Sequence, residues 1–257
     1  MRELNKPTLS FFGIRGRYAL LLFVVIGSLV FILSLPPFGQ DLAYHNFADR
    51  RAFFGILNFF DVMSNIPFLV LGIAGMSFCR RNSLMSLRSA WVTFFAGVAI
   101  VSVGSAYYHW NPNNETLVWD RLPMTIGFMG LFNALLAEYV SVRLGRFLLV
   151  PAVLIGFSSV FYWHYFDDLR FYGWIQLIPL LIVPVVMILF RPNYSHQGLL
   201  LVALVCYMLA KLTEFYDQEV FVLTQNLFSG HSLKHLLTAL GCFSVLLMLK
   251  IRRRIES

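Results

Sequence analysis

Long apolar stretches dominate this chain, and each is about the length of a bilayer crossing. A transmembrane helix needs ~17–25 mostly apolar residues, and the 257-residue sequence contains eight stretches of this kind. They lie at about 19–35, 58–78, 91–110, 121–142, 147–163, 174–190, 199–216 and 231–250. Backbone polar groups in lipid must be satisfied within their own segment, so each stretch predicts a helix. We therefore expect an all-α integral membrane protein with eight transmembrane helices.

The composition supports this fold class. Hydrophobic residues make up 58% of the chain and charged residues 13%, whereas a soluble domain carries roughly 25% charged residues. Little sequence remains between the apolar stretches, which excludes a sizeable soluble domain. The net charge of +7 is spread over several loops. It therefore does not predict a nucleic-acid-binding surface, which needs basic residues clustered on one face.

Lysine and arginine are concentrated in alternate loops, and this bias predicts the orientation in the membrane. The positive-inside rule assigns such loops to the cytoplasm. The basic regions contain Arg2, Lys6, Arg15 and Arg17, then Arg80, Arg81 and Arg88, then Arg143 and Arg146, then Arg191, and finally Lys250, Arg252, Arg253 and Arg254. Arg50, Arg51 and Arg170 are exceptions to the bias. Both termini are expected in the cytoplasm, in agreement with an even number of crossings.

Three histidines are predicted on the opposite, outer side of the membrane. His109 ends the third predicted helix, and His231 and His235 begin the last one. Residues four apart lie on one face of a helix, so His231 and His235 can share one metal ion. Three protein ligands and one open position are typical of catalytic zinc. Each histidine alone could instead cap a helix or form an interfacial hydrogen bond, but their common depth favours a metal site.

An aspartate and a serine are predicted near these histidines. Asp120 is expected at the start of the fourth helix, where a carboxylate is either an ordinary N-cap or a general base beside a metal. Ser105 lies one turn before His109. Its hydroxyl either bonds to a carbonyl of its own helix or stabilises a developing oxyanion. A metal site with an acid nearby indicates hydrolysis.

The chain resembles the alkaline ceramidases and the wider membrane-hydrolase superfamily that also contains the progestin/adiponectin receptors. The resemblance covers roughly residues 58–250 and is strongest to the bacterial ceramidase-domain branch. Its elements occur in the expected order: Ser64-Asn65, Ser105-x3-His109, Asp120 followed by Leu122-Pro123-Met124, and His231-x3-His235.

The resemblance implies a zinc-dependent hydrolase of the amide bond in an N-acyl (sphingo)lipid such as ceramide. It implies zinc held by His109, His231 and His235, with Asp120 as proton acceptor and donor and Ser105 as oxyanion stabiliser. The products would be a fatty acid and a long-chain amine. A lipid-binding receptor with structural zinc, or an ion or proton pathway, could use the same histidines. A structural zinc needs neither Ser105 nor Asp120, so hydrolysis is favoured.

The resemblance also implies a seven-helix core and therefore a division of the chain into four parts. Residues 1–35 would hold a cytoplasmic N-terminus and an extra anchor helix, and residues 36–57 an outer loop. Residues 58–250 would form the hydrolase core, and 251–257 a basic cytoplasmic tail. The bacterial branch implies an inner-membrane location, with the active site toward the periplasm.

The segment before the core departs from the animal ceramidases. Those proteins carry an acidic calcium-binding segment and a Glu in the first core helix, whereas this chain offers Asp49 and Asn58. A Ca²⁺ site is therefore not expected. Asp49, Arg50 and Arg51 could bind a lipid head group, but pairing with one another is favoured.

Three charged residues on the outer half of the seventh helix complete the candidate site. They are Lys211, Glu214 and Asp217. Lys211 and Glu214 are three residues apart, which suits an ion pair on one helical face. Ionisable residues at membrane depth also mark functional sites, so a role in supporting the metal ligands is an equal alternative to the ion pair, and Asp217 is a candidate for the same role.

Overall fold

The computed structural model describes residues 13–82 and 85–255, and every element in these ranges is helical. The predicted basic residues Arg2 and Lys6 and the last two residues of the predicted tail lie outside the described residues. A 3-10 turn (Leu42–His45) and a π-helical turn (Leu136–Val140) accompany the α-helices. The α-helices are α1 (Ile14–Ser34), α2 (Phe59–Met63), α3 (Ile66–Arg81), α4 (Arg88–Trp110), α5 (Asn114–Leu135), α6 (Val142–Phe166), α7 (Arg170–Leu189), α8 (Gly198–Phe215), α9 (Asp217–Leu223) and α10 (Gly230–Ile251).

The prediction of eight membrane-spanning helices is confirmed. Within the described residues, eight helical segments are long and apolar enough to cross a bilayer, and α2 and α3 together form one of them. The protein is therefore an all-α integral membrane protein, with a seven-helix bundle and one additional N-terminal helix. That additional helix, α1, packs against α7, where Trp174 Nε1 donates a hydrogen bond of 3.1 Å to Ser28 Oγ.

The predicted start of the fourth spanning helix is wrong. Helix α5 begins at Asn114, so Asp120 lies in its second turn and is not the N-cap. The N-cap is Asn113, whose side chain accepts from the backbone N–H of Thr116 while the Thr116 hydroxyl accepts from the backbone N–H of Asn113. This reciprocal capping box satisfies two helix-end donors. The Asp120 carboxylate is therefore not used to cap the helix and can extend from the side of α5.

Helices α4 and α5 are neighbours that approach closely at Gly104. A Cβ atom on Gly104 would lie 2.1 Å from the backbone oxygen of Trp119, so no larger residue fits without separating the helices. Ser105 and Asp120 each follow one of these two contact residues in the chain. The close contact therefore brings the predicted serine and aspartate to one level of the bundle.

Three hydrogen bonds that involve Ser229, Ser232 and Asp61 fix the start of α10. Ser229 is its N-cap and accepts from the backbone N–H of Ser232. Both serine hydroxyls donate to Oδ1 of the fully buried Asp61 on α2, at 3.0 and 2.6 Å. The capping residue is thereby tied to a different helix, which sets the height of α10 in the bundle.

A close contact with α8 fixes the same helix start from the other side. A Cβ atom on Gly230 would lie 2.1 Å from the backbone oxygen of Thr213. The glycine therefore lets the first turn of α10 lie directly against α8. His231 and His235 follow in the first two turns of α10, at the end of the bundle where α4 finishes with His109 and Trp110.

Candidate metal centre

Three buried imidazoles converge where the end of α4 meets the start of α10. His109 is 0% exposed, His231 3% and His235 4%. One ligand-capable nitrogen atom from each lies within 4.8 Å of the other two. The Nε2 atoms of His109 and His231 are 3.3 Å apart. The three predicted ligands, which come from distant parts of the chain, thus form one cluster that could hold a metal ion.

The donor set and its spacing fit zinc. Two nitrogen ligands at a tetrahedral angle on Zn–N bonds of ~2.0–2.1 Å are separated by about 3.3–3.4 Å, and the His109 and His231 nitrogens are 3.3 Å apart. Buried polar atoms normally have partners, but Nδ1 of His109 has none among the described residues. One imidazole nitrogen of the cluster therefore lacks a protein hydrogen-bond partner, and imidazole is a common zinc ligand.

Ser64 fixes the ring orientation of His235. The Ser64 hydroxyl donates to the backbone oxygen of Asp61 at 2.9 Å, and its oxygen lies 2.7 Å from His235 Nδ1. A hydroxyl has one hydrogen to donate, so the Ser64 oxygen must accept from Nδ1–H of His235. Nε2 of His235 then carries the lone pair that a metal requires.

Replacing Ser64 with alanine is expected to weaken zinc binding by about 10- to 100-fold, the usual cost of losing an outer partner of a ligating histidine. The variant removes the acceptor that selects the tautomer of His235 but leaves all three imidazoles in place. Competition against a fluorescent zinc chelator gives the affinity. Ser159→Ala is the matched control, because this buried serine bonds only within α6, to the backbone oxygen of Gly156. An affinity equal to wild type in Ser64→Ala would contradict the assigned role.

Through Asp217, the first turn of α10 is also tied to residues 36–57 between α1 and α2, called the outer segment. Asp217 Oδ1 accepts from the backbone N–H of His231 at 2.7 Å, and Oδ2 accepts from the backbone N–H of Ala48 at 2.8 Å. Burial raises the pKa of the Asp217 carboxyl from its ordinary value, and these two hydrogen bonds act in the opposite direction. Asp217 thus binds the backbone N–H of the predicted ligand His231 rather than its imidazole.

Lys234 and Glu214 form a charged group beside the imidazoles. Lys234 Nζ lies 2.8 Å from His231 Nε2 and 3.0 Å from Glu214 Oε1. An ammonium group only donates hydrogen bonds. Nε2 of His231 is therefore the unprotonated ring nitrogen, and its lone pair accepts from the Lys234 ammonium. Glu214 also pairs with Lys211, which confirms the predicted ion pair, and it accepts from the Tyr44 hydroxyl at 2.8 Å. Burial and the nearby Glu214 carboxylate raise the pKa of Tyr44, so this hydroxyl remains a donor.

The outer segment covers the cluster. The Phe47 ring lies with its centroid 4.8 Å from that of His109 and 4.7 Å from that of His231. Phe47 is only 4% exposed, so its side chain separates the imidazoles from the outer surface. Asn58 donates from its side-chain amide to the backbone oxygen of His109 at 2.8 Å.

Asp120 and Ser105 lie together on the cavity side of the cluster. Both are buried, and both line the cavity that His235 and Lys234 also line. The predicted aspartate, serine and histidines are thus neighbours in space.

An elongated cavity of about 390 Å³ opens from this site into the bundle. Ser105, Asp120, Arg121, Lys234 and His235 line its polar end. Its walls are otherwise mostly apolar and come largely from α5, α7, α8 and α10; the deep end includes Leu131, Leu180, Val183, Leu200 and Val245. From Asp120 to Leu131 the cavity follows α5 for ~16 Å at 1.5 Å per residue. Such a space suits a hydrocarbon chain whose polar end lies beside the imidazoles.

Other polar residues of the outer side are accounted for by local contacts. Asp49 pairs with Arg51 at 2.5 Å, which confirms the favoured pairing. Arg50 donates instead to Asn46 and to the backbone oxygen of Phe47. His164 lies outside the metal cluster, 3.7 Å from Glu115.

Several site residues were not identified from the sequence. Phe47, Asp61 and Gln40 are brought to the site by contacts across more than 50 positions, such as the bond between Asp61 and Ser229 (168 positions apart). No local pattern marks them. Ser64 could have been found, because Ser64-Asn65 was recognised as a family element although its role was not.

One comparison with known proteins identifies the family of the chain. A sequence model of the Ceramidase family matches residues 55–257. The match covers well over half of the chain, so the protein belongs to the Ceramidase family. No curated protein matches the chain significantly.

Proposed function

We propose that the protein is an intramembrane zinc-dependent hydrolase that cleaves the amide bond of an N-acyl (sphingo)lipid such as ceramide. The products are a free fatty acid and a long-chain amine. The observation that carries the proposal is the juxtaposition of three buried imidazoles, Asp120 and Ser105 at the polar end of an apolar cavity. Membership of the Ceramidase family supports amide hydrolysis of a ceramide-like lipid.

His109, His231 and His235 would hold the metal ion. A zinc ion supplies Lewis acidity, which polarises the amide carbonyl and makes water nucleophilic near neutral pH. The Ser64 hydroxyl keeps the His235 tautomer that exposes Nε2. The Asp217 carboxylate and the Phe47 ring hold and cover the first turn of α10, so bulk water is excluded from this side.

Asp120 and Ser105 would carry out the proton transfer and the charge stabilisation. Asp120 accepts a proton from the attacking water as the new C–O bond forms at the amide carbon. The hydroxyl of Ser105 donates to the carbonyl oxygen as negative charge develops there. When the C–N bond breaks, Asp120 returns the proton to the nitrogen, and the amine leaves neutral.

The cavity gives the substrate a defined direction. The acyl chain would occupy the apolar part, down to Leu131 and Val245. The amide then lies at the polar end beside Asp120, and the head group lies toward the outer segment with Gln40 and Tyr44. Remote binding of the tail positions the scissile bond, which is a recognised source of rate enhancement.

A receptor-like lipid-binding protein with structural zinc, or an ion or proton pathway, remains the alternative on the same scaffold. The presence of both Ser105 and Asp120 in the cavity beside the histidines favours hydrolysis. A structural zinc site is closed by protein ligands and needs no adjacent acid. An ion pathway would need polar groups along the whole bundle. The deep part of the cavity is lined by apolar side chains instead.

The membrane orientation is part of the proposal. The alternation of basic loops supports cytoplasmic termini and a site on the outer side, which is the periplasmic side of a bacterial inner membrane. We retain the division into an anchor region (1–35), an outer loop (36–57), a hydrolase core (58–250) and a basic tail (251–257).

Mass-spectrometric turnover in ¹⁸O-labelled water tests the reaction directly. The purified protein is offered a panel of N-acyl lipids with equal acyl chains, ceramide included. Hydrolysis predicts equal amounts of fatty acid and amine, with the label in the carboxylate. Bound lipid without products from any member of the panel would support the receptor-like alternative.

A further inference from the structure

Arg121 is a buried cation without an anionic partner. Its side chain on α5 is 6% exposed, and among the described residues no carboxylate forms an ion pair with it. Its Nη1 atom has no hydrogen-bond partner in the same part of the chain. By contrast, Arg170, Lys234 and Arg252 each contact a carboxylate. Buried charges are normally paired, so Arg121 calls for a partner outside the protein.

The contacts that Arg121 does make leave Nη1 of its guanidinium without a hydrogen-bond partner among the described residues. Its central carbon lies 3.9 Å from the ring centroid of Trp163 and 4.8 Å from that of Tyr172. Nη2 donates to the side-chain oxygen of Gln40. Aromatic rings occupy the faces of a guanidinium and do not accept from the N–H groups in its plane. The two rings and Gln40 therefore hold the guanidinium of Arg121 in place, while its Nη1 atom has no hydrogen-bond acceptor among the described residues.

Arg121 is one of the residues that line the polar end of the lipid cavity. Arg121 lines the cavity next to Asp120 and near Tyr44 and Gln40. The charged residues that line the cavity comprise three cations, Arg121, Lys211 and Lys234, and two carboxylates, Asp120 and Glu214. Glu214 is shared by the two lysines. The lining therefore carries one net positive charge, and Arg121 is the one of these three cations with no carboxylate at ion-pair distance among the described residues.

We propose that Arg121 binds an oxyanion on the polar half of the lipid substrate, so that the preferred substrates are anionic N-acyl lipids. This inference rests on the proposed function, because it takes the cavity as the substrate site. A planar fork binds carboxylates and phosphates in two-point contacts, so either group satisfies Nη1. The acyl tail extends toward Leu131 and Val245, away from Arg121, and the anion is therefore on the amine side of the scissile bond.

Binding to the zinc-free protein tests the inference without any turnover. The full chain is stripped of metal with a chelator and titrated with pairs of lipids, each made of an anionic lipid and a neutral counterpart with the same acyl chain. One pair is N-palmitoylglycine and its neutral amide, N-palmitoylglycinamide, and the other is ceramide 1-phosphate and ceramide. We expect the anionic member of at least one pair to bind about 10- to 100-fold more tightly, as for a charged hydrogen bond in a buried site. The pair with the larger preference distinguishes carboxylate from phosphate.

Variants at Arg121 assign the preference to this residue. Arg121→Gln should reduce the preference to less than about twofold, while Arg121→Lys, which keeps the charge but loses the fork, should retain part of it. Arg50→Gln is the control for general surface charge, since Arg50 is exposed and outside the cavity lining. It should keep the full preference.

Three outcomes would overturn the inference. Equal binding within both pairs by the wild-type protein would do so even if Arg121→Gln fails to fold. A preference that persists in Arg121→Gln would also do so. The third outcome is that Arg121→Gln loses binding of palmitate but binds N-palmitoylglycine and ceramide 1-phosphate as tightly as the wild type. Arg121 would then bind the fatty-acid product and not the substrate. An anionic preference in a protein that releases no fatty acid after zinc is restored would instead sustain the anion site and contradict the proposed hydrolysis.

Discussion

Replacing His235 with alanine is expected to remove zinc and hydrolytic activity together. His235 is the imidazole of the cluster that also lines the lipid cavity, and its Nδ1 is already bonded to Ser64. Two imidazoles remain in the variant, which is fewer than the three protein ligands of catalytic zinc sites. We expect zinc affinity to fall by more than the ~10–100-fold that loss of an outer partner produces, and fatty-acid release to fall to background.

Metal content and turnover should be measured on the same purified sample of this variant. His164→Ala is the matched control, because His164 lies beside Glu115 and outside the cluster. It should retain both zinc and activity. A His235→Ala protein that binds no zinc but hydrolyses lipid at the wild-type rate would contradict the role of the cluster in the reaction.

Asp120→Asn is expected to separate metal binding from chemistry. The amide has the size of the carboxylate and keeps the packing of α5 against α4, but it cannot accept a proton from water. Loss of a general acid–base group lowers turnover by about 10²–10⁴-fold. Zinc content should be unchanged, because Asp120 is not one of the three clustered ligands.

The matched control for this prediction is Glu115→Gln. Glu115 is on the same helix, but its side chain is 82% exposed and it lies outside the cavity lining. This variant should keep the wild-type turnover. Full activity in Asp120→Asn would assign the proton transfer to another group and would favour Glu214, the other carboxylate that lines the cavity.

Much of the fold could be predicted from the sequence, because its strongest signals are local. Apolar length alone predicted eight spanning helices, and the spacing of His231 and His235 placed both on one helical face. The start of α5 was missed for a local reason as well. Its first turn, Asn114-Glu115-Thr116, is polar, and the capping box of Asn113 and Thr116 lies outside the apolar stretch used to define the helix.

The features that could not be predicted depend on packing between distant segments. Phe47 covers the imidazoles only because the outer segment folds back over α4 and α10. Arg121 looks like an ordinary helix-end arginine in the sequence. Its lack of an anionic partner becomes visible only when Trp163, Tyr172 and Gln40 are placed around it.

The most direct test of zinc-dependent hydrolysis is fatty-acid release by one purified sample before zinc removal, after it and after zinc return. We expect about one zinc per chain, loss of release after chelation with unchanged helical content, and recovery on addition of one equivalent of zinc. Release that continues at the same rate in protein shown to be free of metal would contradict the proposed mechanism.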